Sequence, residues 1–307
     1  MKILITGGLG FIGTHLEKAL LAKGHDVTIF DRLRIDRPKY IRGDITDIAS
    51  IQKVFEDVEP CVVYHLAAMV SRKESEETPY AAINANVVGT LNVVRLCLKH
   101  NAWLIYAGSS EEYGTAFDGD TVVTEDTPFG EPTSIYSMTK RMAEEIIQYH
   151  SRFKELTATT TRFFMLYGPG EPATGYRSAL VRFMDAAMKD KPLVVHADTK
   201  RQWCYIDDAV AFLAELVETP QEEYYEAYNV GNEEQIPTEG LAKLIVRMVG
   251  SKSEIKLIAP EETIIPVKLA KFDKAKRVFH WSATTPLSVG LSKVHSGMIS
   301  EARRGFK

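Results

Sequence analysis

The 307-residue chain is predicted to be an α/β protein, with a doubly wound parallel sheet followed by a smaller α/β lobe. Three observations predict this. Short β-branched runs alternate with helical patterns through the first half. Most of those runs are continuous apolar stretches rather than alternating with polar residues. The first of them leads directly into a glycine-rich turn. Strands covered by helices on both faces lose the period-two alternation, which marks a parallel sheet. Right-handed crossovers then wind such a sheet in two directions from its first strand.

The elements come in order. Strands are predicted at Lys2–Thr6, Asp26–Phe30, Cys61–Leu66, Trp103–Gly108 and Thr157–Phe164, with helices between them, among them Gly13–Lys23 and Pro79–His100. After Phe164 the stretch YGPGEPATGY is rich in Gly and Pro and opens a less regular second half. Residues 1–165 are therefore expected to form a dinucleotide-binding Rossmann domain, and 166–307 a substrate-binding lobe. Residues 202–232 are expected to return to the first domain. No internal repeat, low-complexity tract or long linker interrupts the chain.

Composition excludes some functions. With 37 basic and 41 acidic residues, the net charge is −4, and a phosphate-binding surface for nucleic acid would need a basic excess. The three cysteines, Cys61, Cys97 and Cys204, have no metal-ligand spacing and lie in apolar runs, so buried reduced thiols are expected and no metal site. The N-terminal run MKILIT is too short for a signal peptide or membrane span, so a cytoplasmic protein without membrane partners is expected.

The glycine turn carries the first chemistry. Gly8, Gly10 and Gly13 form a GxGxxG frame between a strand and a helix. Glycine is needed there for a tight turn, for close backbone approach to a pyrophosphate and for helix–strand packing. Asp31 ends the next strand, where its carboxylate can accept from both ribose hydroxyls and would repel a 2′-phosphate. That favours NAD over NADP, with Arg32 and Arg34 partly offsetting the repulsion. In GDITD, Asp44 and Ile45 come after the third strand and suit the adenine edge, or else Asp44 is a simple turn acid.

Tyr136 and Lys140 form a YxxxK pair in a helical segment, and the four-residue spacing puts both side chains on one face. A neighbouring ammonium is expected to stabilise the phenolate, so that Tyr136 exchanges protons with a substrate hydroxyl near neutral pH. Ser109 comes after a strand at its carboxyl edge, where open α/β sheets bind ligands, and can hold the same substrate oxygen.

Glycine turn, strand-end serine and YxxxK occur here in one order. With them come TGGLGFIG, GDITD, HLAA (His65 to Ala68), NVVGT (Asn86 to Thr90), SSEEYG, YSMTK, YGPG and RQWCYIDDA, and near the end KFDKAKRVFHWSATTPLSVGL. From residue 2 to about 291 the chain resembles the extended short-chain dehydrogenase/reductase family, in its NAD-dependent epimerase/dehydratase group. The resemblance implies Ser109, Tyr136 and Lys140 as the catalytic triad. It also implies that NAD contacts Gly7, Phe11, Ile12, Leu66, Ala67, Ala68 and Asn86, and that a homodimer is joined through a helix bundle. The substrate it implies is a nucleotide-sugar, a UDP-sugar favoured, oxidised at carbon 4.

The fate of the oxidised sugar separates the subfamilies: re-reduction after rotation, loss of water, or loss of carboxylate. Family dehydratases carry Asp–Glu after the strand-end hydroxyl residue, and here the pair is Ser110 and Glu111. Serine is a poor acid for expelling hydroxide, which argues against dehydration. Glu111 fits a decarboxylase or epimerase, or is a surface glutamate; Glu112 stands where a small apolar residue is usual.

The substrate grip departs from the family pattern. Met165 replaces the Asn before YGPG, and a thioether cannot donate to phosphate. Arg201 matches the phosphate arginine, its alternative being a salt bridge to Asp207 or Asp208. Lys268 is the cation nearest the place of a second arginine. The leading expectation is a nucleotide-sugar 4-epimerase. A decarboxylase, dehydratase or reductase on the same scaffold, an NAD-dependent dehydrogenase of a non-sugar alcohol, and a non-catalytic NAD-sensing regulator are the alternatives.

Overall fold

The run Ile3–Leu4–Ile5 is fully buried, because it forms an inner strand of a seven-stranded sheet. The computed structural model describes residues 1–173, 178–219, 221 and 223–305; residues 174–176 of the Gly/Pro-rich stretch lie outside these. The sheet strands are β1 (Lys2–Thr6), β2 (Asp26–Asp31), β3 (Tyr40–Arg42), β4 (Val62–His65), β5 (Trp103–Ser109), β6 (Ala158–Phe163) and β7 (Tyr225–Val230). Their order is β7-β6-β5-β4-β1-β2-β3. Neighbours from β3 to β6 pair in parallel, and Ala158 N–H to Tyr224 O and Phe164 N–H to Val230 O continue the same sense into β7. The predicted doubly wound α/β fold is the observed one.

Winding reverses between β1 and β4, so the turns that leave these two strands sit side by side at the switch point where such sheets bind ligands. The helical run from Pro79 to His100 has the length and apolarity of a membrane span, yet 56% of its most apolar window is buried in this unit. Val93, Val94, Leu96 and Cys97 are core residues there, packed in the same cluster as Leu4, Val63 and Leu104 of the sheet. The run is not one regular helix. Asn84–Val88 takes a π-helical turn between Pro79–Ile83 and Gly89–His100.

By its internal contacts the chain divides into two units. The first comprises 1–112, 132–163 and 210–229, and the second 113–131, 164–209 and 230–307. Two expected boundaries move. Residues 113–131 belong to the second unit because Tyr113, Phe117 and Val123 pack with Phe164, Ile265, Ala270 and Phe272. The segment returning to the first unit is 210–229 rather than 202–232, since Gln202 and Cys204–Tyr205 pair with strands of the second. That second unit is built from short strand pairs, such as Leu193–His196 with Ile255–Ile258, and the helices Ala179–Met188 and Thr238–Val249. One cysteine expectation fails: Cys97 and Cys204 are buried, but Cys61 is exposed, just ahead of β4.

Candidate active site

The turn after β1 has the shape of a phosphate cradle. Gly7 has φ +69°, and a Cβ there would lie 2.6 Å from the Ala67 backbone in the turn after β4. Only glycine meets both demands. A Cβ on Gly13 would lie 2.5 Å from Gly8 Cα, so Gly13 serves packing, whereas one on Gly10 would meet only the Gly7 carbonyl. Gly10 caps the helix Phe11–Ala22 without a side-chain hydrogen bond, and no acid occupies the first turn. The N–H groups of Phe11, Ile12 and Gly13 therefore lack intrahelical acceptors and present partial positive charge.

Asp31 closes this cradle. Its Oδ2 accepts from Leu9 N–H at 3.1 Å and its Oδ1 from Leu33 N–H at 3.2 Å, which holds the carboxylate beside the glycine turn. Arg32 is exposed, and its carbonyl accepts from Arg42 Nε. Asp44 accepts from the N–H and hydroxyl of Thr46, both at 2.9 Å, and so forms a turn. The Ile45 side chain is a core residue, lying where any Cβ on Gly89 would clash with it. At the end of β4, Leu66 N–H bonds Thr6 O and Ala67 N–H points to Thr6 Oγ1, while Ala68 comes next, half-buried. Asn86 sits in the π-helical turn with its side chain fully used: Oδ1 accepts from Met69 N–H, and Nδ2 donates to Met69 O and Thr139 Oγ1. It ties the turn after β4 to the helix bearing Tyr136.

That helix, Ile135–Lys154, starts with a capping box between Ser134 and Ser137, which sets Tyr136 in its first turn. Tyr136, Lys140 and Glu144 recur at four-residue spacing, and all three are buried. Ser109 is near enough to the Tyr136 hydroxyl to favour its ionised form, and the Ser109 Oγ accepts from Glu111 N–H at 3.2 Å. Lys140 Nζ donates to Ala107 O at 2.5 Å and lies 4.1 Å from the Tyr106 ring centroid. Burial pulls the Lys140 ammonium down to about 8, against an upward pull from Glu112 and Glu144.

Here one expectation is corrected. Tyr136 is not lowered: burial pushes its phenol well above the usual range, Ser109 pulls it back, and the Glu111 carboxylate pushes it up. The ammonium's hydrogen bond goes to a β5 carbonyl, so burial dominates. His65, one strand over, is held neutral, its pKa lowered to about 3 by burial and then by the Lys140 charge. Its nitrogens contact Thr6 Oγ1 at 2.7 Å and Thr90 Oγ1 at 3.0 Å. Ser110 is buried and opens the turn 110–116, and Glu111 is half-buried.

Sequence reasoning missed what lies beneath. Glu112, left without a role, accepts from Ser109 N–H at 2.8 Å. Glu144 pairs with Arg162 of β6, Nε lying 3.2 Å from both carboxylate oxygens, and accepts from Tyr225 of β7 at 2.8 Å. The usable signal was Arg162 within the β-branched strand run ATTTRF, since a charge in a buried strand requires a counter-charge.

The substrate residues expected in the second unit take a different form. The Arg201 guanidinium is aimed at backbone carbonyls: Nη1 donates to Lys200 O and Pro266 O, and Nη2 to Ile265 O, at 2.7–2.9 Å. A Lys200–Val267 bridge brings the Lys268 segment alongside, and Lys268 is buried, with its Nζ 5.9 Å from the Phe117 ring centroid. Met165 has φ +29°, and its carbonyl accepts from Cys204 N–H.

The sequence profile of the NAD dependent epimerase/dehydratase family matches residues 3–231, and the chain belongs to that family. It is 31% identical to Protein CapI of Staphylococcus aureus, covering 95% of this chain and 97% of that one. It is also 31% identical to the UDP-N-acetyl-alpha-D-glucosaminuronate decarboxylase of Bacillus cytotoxicus, covering 86% and 85%. Among solved structures, the UDP-glucuronic acid 4-epimerase of Bacillus cereus, in complex with UDP-glucuronic acid and NAD, matches with a TM-score of 0.88 at 25% identity over 98% and 100% of the two chains. The protein is an NAD-dependent enzyme of the epimerase/dehydratase kind. The open Gly10 cradle, the uncapped helix start and the Asp31 carboxylate fit that cofactor.

Proposed function

We propose that the protein is a UDP-sugar 4-epimerase acting through a transient 4-keto sugar. The observation that carries this reading is the burial of Ser109, Tyr136 and Lys140 at the carboxyl edge of the sheet, with the Lys140 ammonium on the Ala107 carbonyl and Ser109 acting on the Tyr136 hydroxyl. NAD, when bound by the Gly7–Gly13 turn and Asp31, supplies the hydride acceptor and donor for carbon 4. Tyr136 takes the proton of the 4-hydroxyl and later returns it. Ser109 holds the same oxygen, and the Lys140 charge favours the phenolate as the proton arrives and leaves. Burial favours the protonated Tyr136, and the positive charge of the nicotinamide of bound NAD would, with Lys140, offset that burial and favour the phenolate. Arg201 and Lys268 are the residues to hold the diphosphate, and Met165 adds no donor to that grip.

A second reading, decarboxylation of a UDP-uronate, is favoured by Glu111, whose charge acts on Tyr136, and by the Bacillus cytotoxicus relative. Dehydration is opposed by Ser110, a hydroxyl where an acid is needed. Incubation with UDP-sugars, uronates first, followed by mass and NMR analysis, tests these readings. A product of unchanged mass inverted at carbon 4 is expected. Loss of carbon dioxide selects the second reading, and loss of water overturns both.

A homodimer belongs to the same proposal. The two long helical runs of the first unit leave apolar side chains exposed: Tyr80, Ile83 and Val88 on one, Met142, Tyr149 and Phe153 on the other. Exposed apolar side chains gathered into a patch mark a protein–protein contact. Light scattering should give twice the chain mass, and a monomer would contradict the proposal.

A further inference from the structure

Behind the Ser109–Tyr136–Lys140 edge, two glutamates face each other with almost no access to water: Glu112 is 1% exposed and Glu144 0%. Glu144 is crowded with donors, from Arg162 Nε and Nη2, the Tyr225 hydroxyl and Gln148 Nε2. Glu112 has one, the Ser109 N–H on Oε1. Among the described residues no donor reaches its buried Oε2, and the Glu144 charge acts strongly on it. Two carboxyls that feel each other away from water cannot both ionise, and one of them must keep a proton. The donors make Glu144 the anion, so the proton belongs to Glu112.

We propose that Glu112 is a positioning residue kept neutral, which holds the Ser109 backbone beside the Glu144–Arg162 pair and leaves one cation uncompensated behind Tyr136. The charges facing Glu112 are Lys140 and Glu144 on the helix and Arg162 on β6, with the phenols of Tyr106, Tyr136 and Tyr225 around them. Lys140 and Arg162 are positive and Glu144 is negative, so these three carry +1, which favours a Tyr136 phenolate against the opposing charge of the half-buried Glu111. An ionised Glu112 would cancel that advantage and oppose the phenolate. Burial and the Glu144 charge raise the Glu112 pKa, while Lys140 and Arg162 pull it back less strongly.

The inference rests on Ser109, Tyr136 and Lys140 being catalytic, and its test separates the two. In the NAD-loaded enzyme at about pH 8, the infrared difference between the parent and Glu112→Gln should contain the carbonyl stretch of a protonated carboxylic acid, shifting in D2O, because ordinary carboxyls are ionised there. Glu112→Val should lower kcat about 10-fold by orphaning the Ser109 N–H. Glu112→Gln, a neutral isostere that can still accept from the Ser109 N–H, should recover most of that loss. Its acid limb in kcat/KM should stay within about 0.3 pH units of the parent. Absence of the band, or an acid limb moved down by about one unit as loss of a real negative charge would do, overturns the proposal. If Glu112→Val does not fold, the band and the limb of Glu112→Gln decide alone. An active Tyr136→Phe enzyme would sink the catalytic reading and leave the band untouched.

Discussion

Lys140 in the first unit and Arg201 in the second are both cations bonded to backbone carbonyls, but they differ in what surrounds them. Lys140 donates to Ala107 O from full burial, next to an aromatic ring and two carboxyl groups. Arg201 is half-exposed and spreads its guanidinium over three carbonyls. A buried ammonium has a charge that its neighbours can tune, whereas an arginine is charged at any working pH. The first arrangement suits chemistry, and the second fixes the backbone at Ile265 and Pro266 while keeping a permanent charge.

The largest effect that could break this contrast is at the phenol. Tyr136→Phe should lower kcat by about 100- to 10,000-fold, as loss of a general acid–base does, read by product NMR. A loss under about fivefold would remove the chemistry from this edge. Arg201→Ala should leave the chemical step alone and raise KM, while costing about 1–3 kcal/mol in denaturant unfolding because three carbonyls lose a charged donor.

The pH dependence separates the two cations next. Lys140 has a folded pKa of about 8 against an ordinary value of 10.5. Between these values the unfolded chain binds a proton that the folded one does not. The group's contribution therefore makes stability rise with pH across that window, by up to about 1.4 kcal/mol per unit. Parent minus Lys140→Met unfolding energies should show that slope, and parent minus Arg201→Ala should show none.

The smallest effect is at Met165, whose φ of +29° is costly for a side chain that offers the backbone no local hydrogen bond. Met165→Asn should raise stability by about 1 kcal/mol, measured as a shift in the unfolding midpoint. No gain would mean that the thioether's packing outweighs the backbone cost.

These contrasts also explain what could be read from the chain. The glycine turn, Asp31, Ser109 and the Tyr136–Lys140 pair were legible because each is delivered by local structure: a strand end, a helix start, or a four-residue helical spacing. The parallel sheet was legible for the same reason, through mostly continuous apolar runs. Glu112 was opaque because its partners arrive from Glu144, Arg162 and Tyr225, far apart in sequence and joined only by the sheet order. Arg201 was matched to its motif, but its carbonyl partners 64 and 65 residues away were not foreseeable. The 113–131 excursion was missed too, since its aromatic residues declare no partner until Phe164 and Phe272 are beside them.

The proposed reaction is a reversible transfer of one hydride at carbon 4, governed by Tyr136. It is tested most directly by giving the enzyme a UDP-sugar deuterated at carbon 4 in ordinary water, and a normal substrate in D2O, with carbon 4 read by NMR. The 4-epimer should keep its deuterium in the first case and gain none in the second, and Tyr136→Phe should yield neither product. Exchange of the carbon-4 hydrogen with solvent, or an epimer formed equally fast by Tyr136→Phe, would contradict it.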